Sequence, residues 1–354
     1  MRSTASDKVS IATVDISGYL AGDAEATSQA ASQIGQAMQT HGLLYLKGHG
    51  FPRHLSAQLF DRVAAFFASP TETKQALHLS NSRAMRGYEQ VGDLRINDGQ
   101  VDIKEAFMLG KEMPKDSAQF LMGPNQWPRE DEVPGFRDAV MESFWEMNKV
   151  CAAVARLLAL SLGLEETFFD GFVSNADSTP WMRAHRYPPA KPEAGFGNRW
   201  LGAHSDFGGI TLLLQDSVGG LEFFDDSSET WHAVPPVQDS LVMNLGDLFG
   251  SPQPLHSFFM FLSATMLTCR VSAAWLERWT NGRYKSMRHR VMSAGGDKHR
   301  FSIAFFTMGD LGRVVECLPS CVGAGEKRRY EPIRVEEHLK ERFSSTFDAG
   351  VYRE

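Results

Sequence analysis

The chain has 354 residues, 43% of them hydrophobic and 22% charged, which is enough apolar material for one large core or two smaller ones. A net charge of −7 argues against a nucleic-acid surface, because phosphate recognition draws on clustered Lys and Arg, and the short run Lys327-Arg328-Arg329 reads as a solvated face. Cys151, Cys269, Cys317 and Cys321 match no zinc or disulfide spacing, and Met1 to Ser10 has no apolar core for a secretory leader, so a reducing, cytoplasmic setting is expected.

The first element in chain order is a helix from Asp23 to His41, with apolar positions at Ile34, Ala37 and Met38 and a glycine stop at Gly42. Leu43 to Leu46 follows as a buried strand. The strongest helical period runs from Val133 to Gly163, where Phe136, Val140, Phe144, Met147, Cys151, Val154 and Leu158 recur three and four apart. One face of that helix is expected to pack along the outside of a sheet.

After Thr179 the texture changes to short strand-like runs at Trp181–Tyr187, Ile210–Gln215, Leu221–Phe224, Leu241–Leu245, Tyr284–Val291 and Arg300–Thr307. Ser217-Val218-Gly219-Gly220, between two apolar runs, reads as a hairpin turn. Many short strands behind a helical first half predict a mainly β fold with flanking helices, a β-sandwich or jelly roll. The chain divides into a helix-rich region over 1–175, a β core over 176–310 and a C-terminal extension over 311–354.

His204-Ser205-Asp206 carries the chemistry. Residues two apart in a strand share a face, so His204 and Asp206 can both point inward, and alternation in the later run puts His289 inward as well. Two imidazoles and a carboxylate hold Fe(II) on one side and leave its other positions open; the same set also binds zinc for hydrolysis. Arg300, Ser302, Ala304 and Phe306 share a strand face, and a buried Arg needs an anion that nothing adjacent in sequence provides. The far carboxylate of a five-carbon keto acid would satisfy Arg300 and Ser302 together. Arg183, His185 and Tyr187 share another face, from which the phenol can reach the same carboxylate.

Blocks in a fixed order extend this reading: Tyr187-Pro188-Pro189, His204-Ser205-Asp206, Asn244-Leu245-Gly246-Asp247, Trp279-Thr280-Asn281-Gly282, Lys285-Ser286, His289-Arg290-Val291 and Arg300-Phe301-Ser302. Upstream stand Gly48-His49-Gly50, Phe66-Phe67-Ala68 with Pro70, and Asp102-Ile103-Lys104-Glu105. Together they resemble the Fe(II)/2-oxoglutarate dioxygenases of the isopenicillin N synthase type over most of the chain, with fungal thymine hydroxylases closest in texture. The resemblance implies a distorted double-stranded β-helix, iron on His204, Asp206 and His289, and 2-oxoglutarate on Arg300, Ser302 and Tyr187. It implies consumption of O2 and 2-oxoglutarate, release of succinate and CO2, and oxidation of a small organic molecule: hydroxylation, or else desaturation or ring closure. A planar heterocycle or secondary metabolite is the substrate class it implies, with a monomer as the expected state.

Several readings stay open at the residue level. Phe207 and Phe306 either flank the substrate beside iron or belong to the core. Arg183 either meets a polar edge of the substrate or pairs with a carboxylate distant in sequence. His185 stands where many plant relatives have Asn and is a further substrate contact. Residues from about 250 to 275, including the apolar run Leu255 to Cys269, have no counterpart in the family. They are a translated intron, a lid or partner-binding hairpin, or a membrane contact, although the run is short of the ~20 residues that span a bilayer. Sequencing the transcript decides the first reading. A catalytically impaired homologue or binding protein, disrupted by this insert, is the remaining alternative to an enzyme.

Overall fold

The computed structural model describes residues 9–93, 102–115, 117, 120–189, 199–246 and 275–346. In chain order the N-terminal part runs through β1 (Thr13–Asp15), α1 (Ser17–Leu20), α2 (Ala24–Thr40), β2 (Leu43–Lys47), α3 (Arg53–Ala68), α4 (Thr71–Ala76), β3 (Gly87–Glu89), β4 (Glu105–Gly110), α5 (Phe136–Ser161) and α6 (Asp170–Val173). The rest comprises β5 (Ser178–Tyr187), β6 (Arg199–His204), β7 (Ile210–Gln215), β8 (Leu221–Asp225), β9 (Thr230–Ala233), β10 (Leu241–Leu245), α7 (Trp275–Trp279), β11 (His289–Met292), β12 (Arg300–Asp310), β13 (Val314–Val315), β14 (Ile333–Arg334) and α8 (Val335–Thr346).

An eight-stranded sheet in the order β1-β2-β10-β7-β12-β5-β4-β3 faces a four-stranded sheet in the order β6-β11-β8-β9. This is a double-stranded β-helix, and its main sheet is widened at both edges by strands from the N-terminal region. That region is therefore continuous with the core and not a separate layer.

The helices follow from local chemistry. Asp23 caps α2 by accepting from the backbone N–H of Glu25 and Ala26 at 2.9 and 3.0 Å, worth about 1 kcal/mol. At the other end Gly42 adopts φ +72°, and any side chain there would strike the Lys285 carbonyl. The apolar face of α5, Phe136, Val140, Phe144, Met147, Cys151, Val154 and Leu158, is buried and packs with α2 and α3 over the outer face of the main sheet. Met182, Ala184, Ile303 and Phe305 belong to that core. The opposite face of the sheet carries Tyr187 into a second core between the sheets, with Trp200, Leu221, Phe223, Val242, Met287 and Val291.

Two expectations are corrected. Ser217 to Gly220 is not a hairpin: β7 lies in the main sheet and β8 in the minor one, so the turn carries the chain across the sandwich. Gly219 and Gly220 have φ +85° and +94°, and a side chain at Gly220 would run into the Met292 carbonyl, so the glycines serve a close crossing. The run from Tyr284 becomes a strand only at His289. Tyr284 is fully buried with its hydroxyl 2.7 Å from Ser161 Oγ, and Lys285 N donates to the Met38 carbonyl at 2.9 Å. These bonds tie the segment to α5 and α2 before any ladder can form. The stretch over 250–274 lies outside the described residues. Its flanks meet nonetheless, since Met287 N donates to the Leu245 carbonyl at 3.4 Å.

Helix α8 sets an acid limit on the fold. His338 is 1% exposed, and burial drives its pKa down from 6.5 to about 2, with Arg278 and Arg342 adding to the shift. The folded chain holds it neutral, whereas the unfolded chain takes up a proton below about 6.5. Its contribution is complete above that value and declines as the pH falls, by about 2 kcal/mol at about pH 5. Melting curves at neutral and mildly acidic pH should show a smaller acid-induced drop for His338→Gln than for the wild type; equal drops would refute the assignment.

Candidate active site

The candidate site begins where β6 meets β11. His289 lies directly opposite His204 in the antiparallel register, and their ring centroids are 4.2 Å apart. Asp206 is not in the strand with His204, as alternation predicts, but two residues beyond its end. Long-range bonds aim it instead: its Oδ2 accepts from Thr211 Oγ1 on β7 and from Asn244 Nδ2 on β10, each at 2.8 Å. That leaves Oδ1 turned to the imidazoles, 3.9 Å from His204 Nε2 and 3.6 Å from His289 Nε2.

The backbone supports the same arrangement. His204 Nδ1 is 2.9 Å from the Gly202 carbonyl and His289 Nδ1 is 3.3 Å from the Met287 carbonyl, so each Nδ1 carries its proton outward and each Nε2 presents a lone pair. One potential ligand atom from each of the three residues lies within 4.8 Å of the others. Burial first, then the neighbouring His289, lowers the His204 pKa to about 3, so His204 is neutral at physiological pH. Burial alone would raise the Asp206 pKa, but His289, His204 and the bonds from Asn244 and Thr211 hold it below the usual carboxylate range. Two imidazoles and one carboxylate suit a divalent metal with open positions. His289 is seated in register with His204.

The pairing of β12 with β5 and β7 builds the neighbouring subsite. Arg300 sits opposite Tyr187, Ser302 opposite His185 and Gln215, Ala304 opposite Arg183, and Phe306 opposite Trp181 and Thr211. Arg300 is 0% exposed. Its Nη1 donates to Ser302 Oγ at 3.0 Å, its Nη2 to Gln215 Oε1 at 3.3 Å, and its guanidinium lies 4.9 Å from the Tyr187 ring. Nε has no partner, and among the described residues no carboxylate pairs with Arg300. Burial raises the Tyr187 pKa against the opposing effects of Arg300 and Ser302, so the phenol stays protonated and can donate.

Of the other predicted site residues, His185 lies on the same face with its ring stacked 5.9 Å from that of Tyr187. Burial, with Arg183, Lys104, Arg300 and His204, holds its pKa well below the ordinary value, and its Nδ1 is without a partner among the described residues. Arg183 finds a carboxylate: Glu89, which Lys104 also engages, in a network where Glu89 and Lys104 are each 1% exposed. Phe207 and Phe306 are half-buried. Phe207 rests 5.7 Å from Phe343 of α8, beneath the Arg342 guanidinium. Nothing local in sequence marks Thr211 or Gln215, though both stand on the inward alternation of β7.

Two family models match the chain. One, described as non-haem dioxygenase in morphine synthesis N-terminal, covers residues 11–130, and the 2OG-Fe(II) oxygenase superfamily model covers residues 178–309. The chain belongs to the 2-oxoglutarate/Fe(II) oxygenase superfamily. It is 34% identical to the 2-oxoglutarate-Fe(II) type oxidoreductase hxnY of Emericella nidulans over 94% of this chain and 89% of that one. It is 30% identical to clavatol oxidase claD of Penicillium crustosum, over 94% and 96%. A full-length Neurospora crassa protein, crystallised in complex with alpha-KG and thymine, superimposes with a TM-score of 0.79 at 27% identity, covering 97% and 98% of the two chains.

This oxygenase is accordingly a 2-oxoglutarate-dependent dioxygenase of the isopenicillin N synthase-like kind that acts on a small molecule, and Fe(II), 2-oxoglutarate and O2 are its cofactor and co-substrates. The zinc hydrolase and impaired-homologue readings are not favoured. Among the described residues no helix is long and apolar enough to cross a membrane.

Proposed function

We propose that His204, Asp206 and His289 hold the Fe(II) of this oxygenase, and that Arg300, Ser302 and Tyr187 hold the distal carboxylate of 2-oxoglutarate. The observation that carries the reading is Arg300, a fully buried cation with no carboxylate partner among the described residues, on the main sheet, where His185 feels the charges of both Arg300 and His204 of the other sheet. Bound iron and 2-oxoglutarate supply oxidising equivalents from O2, with release of succinate and CO2 and transfer of oxygen to a substrate C–H bond. The protein's part is positional. Arg300 provides the fork, Ser302 and Tyr187 add hydroxyl donors, and Gln215 keeps the guanidinium in plane.

Phe207 and Phe306 border the substrate space, which suits a flat small molecule such as a planar heterocycle or secondary metabolite. His185, neutral and with one nitrogen unpartnered, is an acceptor or donor for that substrate, while Arg183 shapes the wall through its pair with Glu89. The division into 1–175, 176–310 and 311–354, with an insert at about 250–275, follows the same reading. So do a monomeric state, a cytoplasmic location and the absence of nucleic-acid or membrane partners, which light scattering and cell fractionation test.

Anaerobic addition of Fe(II) and 2-oxoglutarate should produce a visible charge-transfer band; its absence would sink the assignment. Asn244→Ala should weaken Fe(II) by about ten- to a hundred-fold without abolishing it, because Asp206 keeps its Thr211 bond and loses only one support. Competitive metal titration measures this. An unchanged affinity would show that Asn244 does not orient the carboxylate.

A further inference from the structure

Arg86 stands just before β3, outside every residue assigned above. Its side chain crosses to the iron-facing side of the main sheet. A side chain at Gly110 would collide with the guanidinium, and Gly110 pairs in register with Trp181, two positions along β5 from Arg183. The guanidinium lies over the Trp181 ring at 4.6 Å, and the residue is 1% exposed. Nη2 donates to the Leu121 carbonyl at 2.8 Å. Among the described residues Nε and Nη1 have no partner, and neither does Trp181 Nε1.

Three buried donors on two stacked side chains thus lack an acceptor among the described residues. Burial lowers the Arg86 pKa to about 9, so it remains charged at neutral pH. The acidic residue whose charge reaches it, Glu112, is committed elsewhere: its oxygens accept from Asn125 N and Nδ2 and from Trp127 Nε1. A buried cation in this condition opposes folding, and features held against stability mark places where a ligand completes the structure. The surroundings describe that ligand. Trp181 meets Phe343 edge-on at 5.3 Å, Phe343 meets Phe207 at 5.7 Å, and Phe207 adjoins Asp206. A wall of rings therefore links the donor cluster to the metal-competent carboxylate.

We propose that Arg86 and Trp181 form the receptor for a carboxylate on the substrate, so that this oxygenase acts on a small aromatic or similarly flat carboxylic acid. The planar fork of Arg86 matches a carboxylate, the indole N–H supplies a further donor, and the ring wall accommodates the body whose C–H is presented to iron. The assignment rests on the reading of the iron and 2-oxoglutarate subsites given above and specifies the class of molecule bound beside them.

The test uses the anaerobic protein loaded with Fe(II) and 2-oxoglutarate, titrated with benzoate and phenylacetate and, in parallel, with benzamide and phenylacetamide, with binding read from tryptophan fluorescence and from shifts of the visible band. At least one acid should bind about ten-fold or more tightly than its amide, the effect of one charge-assisted bond. In Arg86→Gln that ratio should fall to about one while the band is retained and the melting temperature is unchanged or higher, because an uncompensated charge has been removed; Arg86→Lys should keep part of the preference. The proposal is overturned if no acid binds, if amides bind as well as acids, if Arg86→Gln keeps the preference, or if that variant loses the band and melts lower, as a structural residue would. Absence of the band in the wild type would overturn the iron and 2-oxoglutarate reading as well, which separates the two failures.

Discussion

Arg300→Leu is expected to raise the KM for 2-oxoglutarate by about a hundred-fold or more, the combined effect of two charge-assisted hydrogen bonds at about 1.5–3 kcal/mol each. The guanidinium is completely buried, its Nη1 and Nη2 are steadied by Ser302 and Gln215, and its Nε has no partner among the described residues, so the proposed ligand carboxylate would be its counter-charge. Leucine would remove that demand together with the affinity. The ligand-free variant should consequently melt no lower than the wild type, since a buried charge without an anion is itself unfavourable. The thermal stabilisation that 2-oxoglutarate confers on the wild type should disappear. Arg300→Lys keeps the charge and loses the fork, and should fall between the two. Succinate release against 2-oxoglutarate concentration, with melting curves alongside, measures all three; an unchanged KM in the leucine variant would remove Arg300 from the site.

What could be read from the chain alone depended on how far apart the deciding contacts lie. The helix faces of α2 and α5 and the inward alternation of β12 and β5 are local periodicities, and the structure repeats them nearly residue for residue. Asp206 is a different case. Alternation with His204 predicts its direction for the wrong reason, because it lies beyond the strand and is aimed by Thr211 and Asn244 from two other strands.

The Ser217 to Gly220 turn has hairpin chemistry, yet whether its two strands pair is settled by the sandwich and not by the turn. Tyr284 reads as the start of a strand because it is apolar and flanked suitably; its hydroxyl bond to Ser161 on a distant helix overrides that. Arg86 was not legible at all, since a lone Arg near Gly87 carries no mark of burial. Trp181 was within reach, two positions before Arg183 on the same inward face. Glu89, the partner of Arg183, is 94 residues away in sequence, a separation no local pattern bridges.

Asp206→Ala and His289→Ala are expected to reduce substrate-linked succinate formation by about a thousand-fold or more, to the background of the free metal, since each removes a proposed ligand outright where a supporting residue alone costs ten- to a hundred-fold. The two variants should differ in stability. Asp206 Oδ2 satisfies buried donors of Thr211 and Asn244, so its loss strands both and should lower stability by about 1–3 kcal/mol, whereas His289 contributes one long bond to the Met287 carbonyl and should be milder. Iron content after anaerobic loading, read beside melting temperature, separates loss of ligand from loss of fold. Zn(II) takes the same ligand types but has no redox change available. It should therefore compete with Fe(II) and extinguish succinate formation in the wild type. Turnover of an ester or amide with Zn(II) bound would instead return the hydrolase reading, and the buried Arg300 fork would then have to be explained by a different anion.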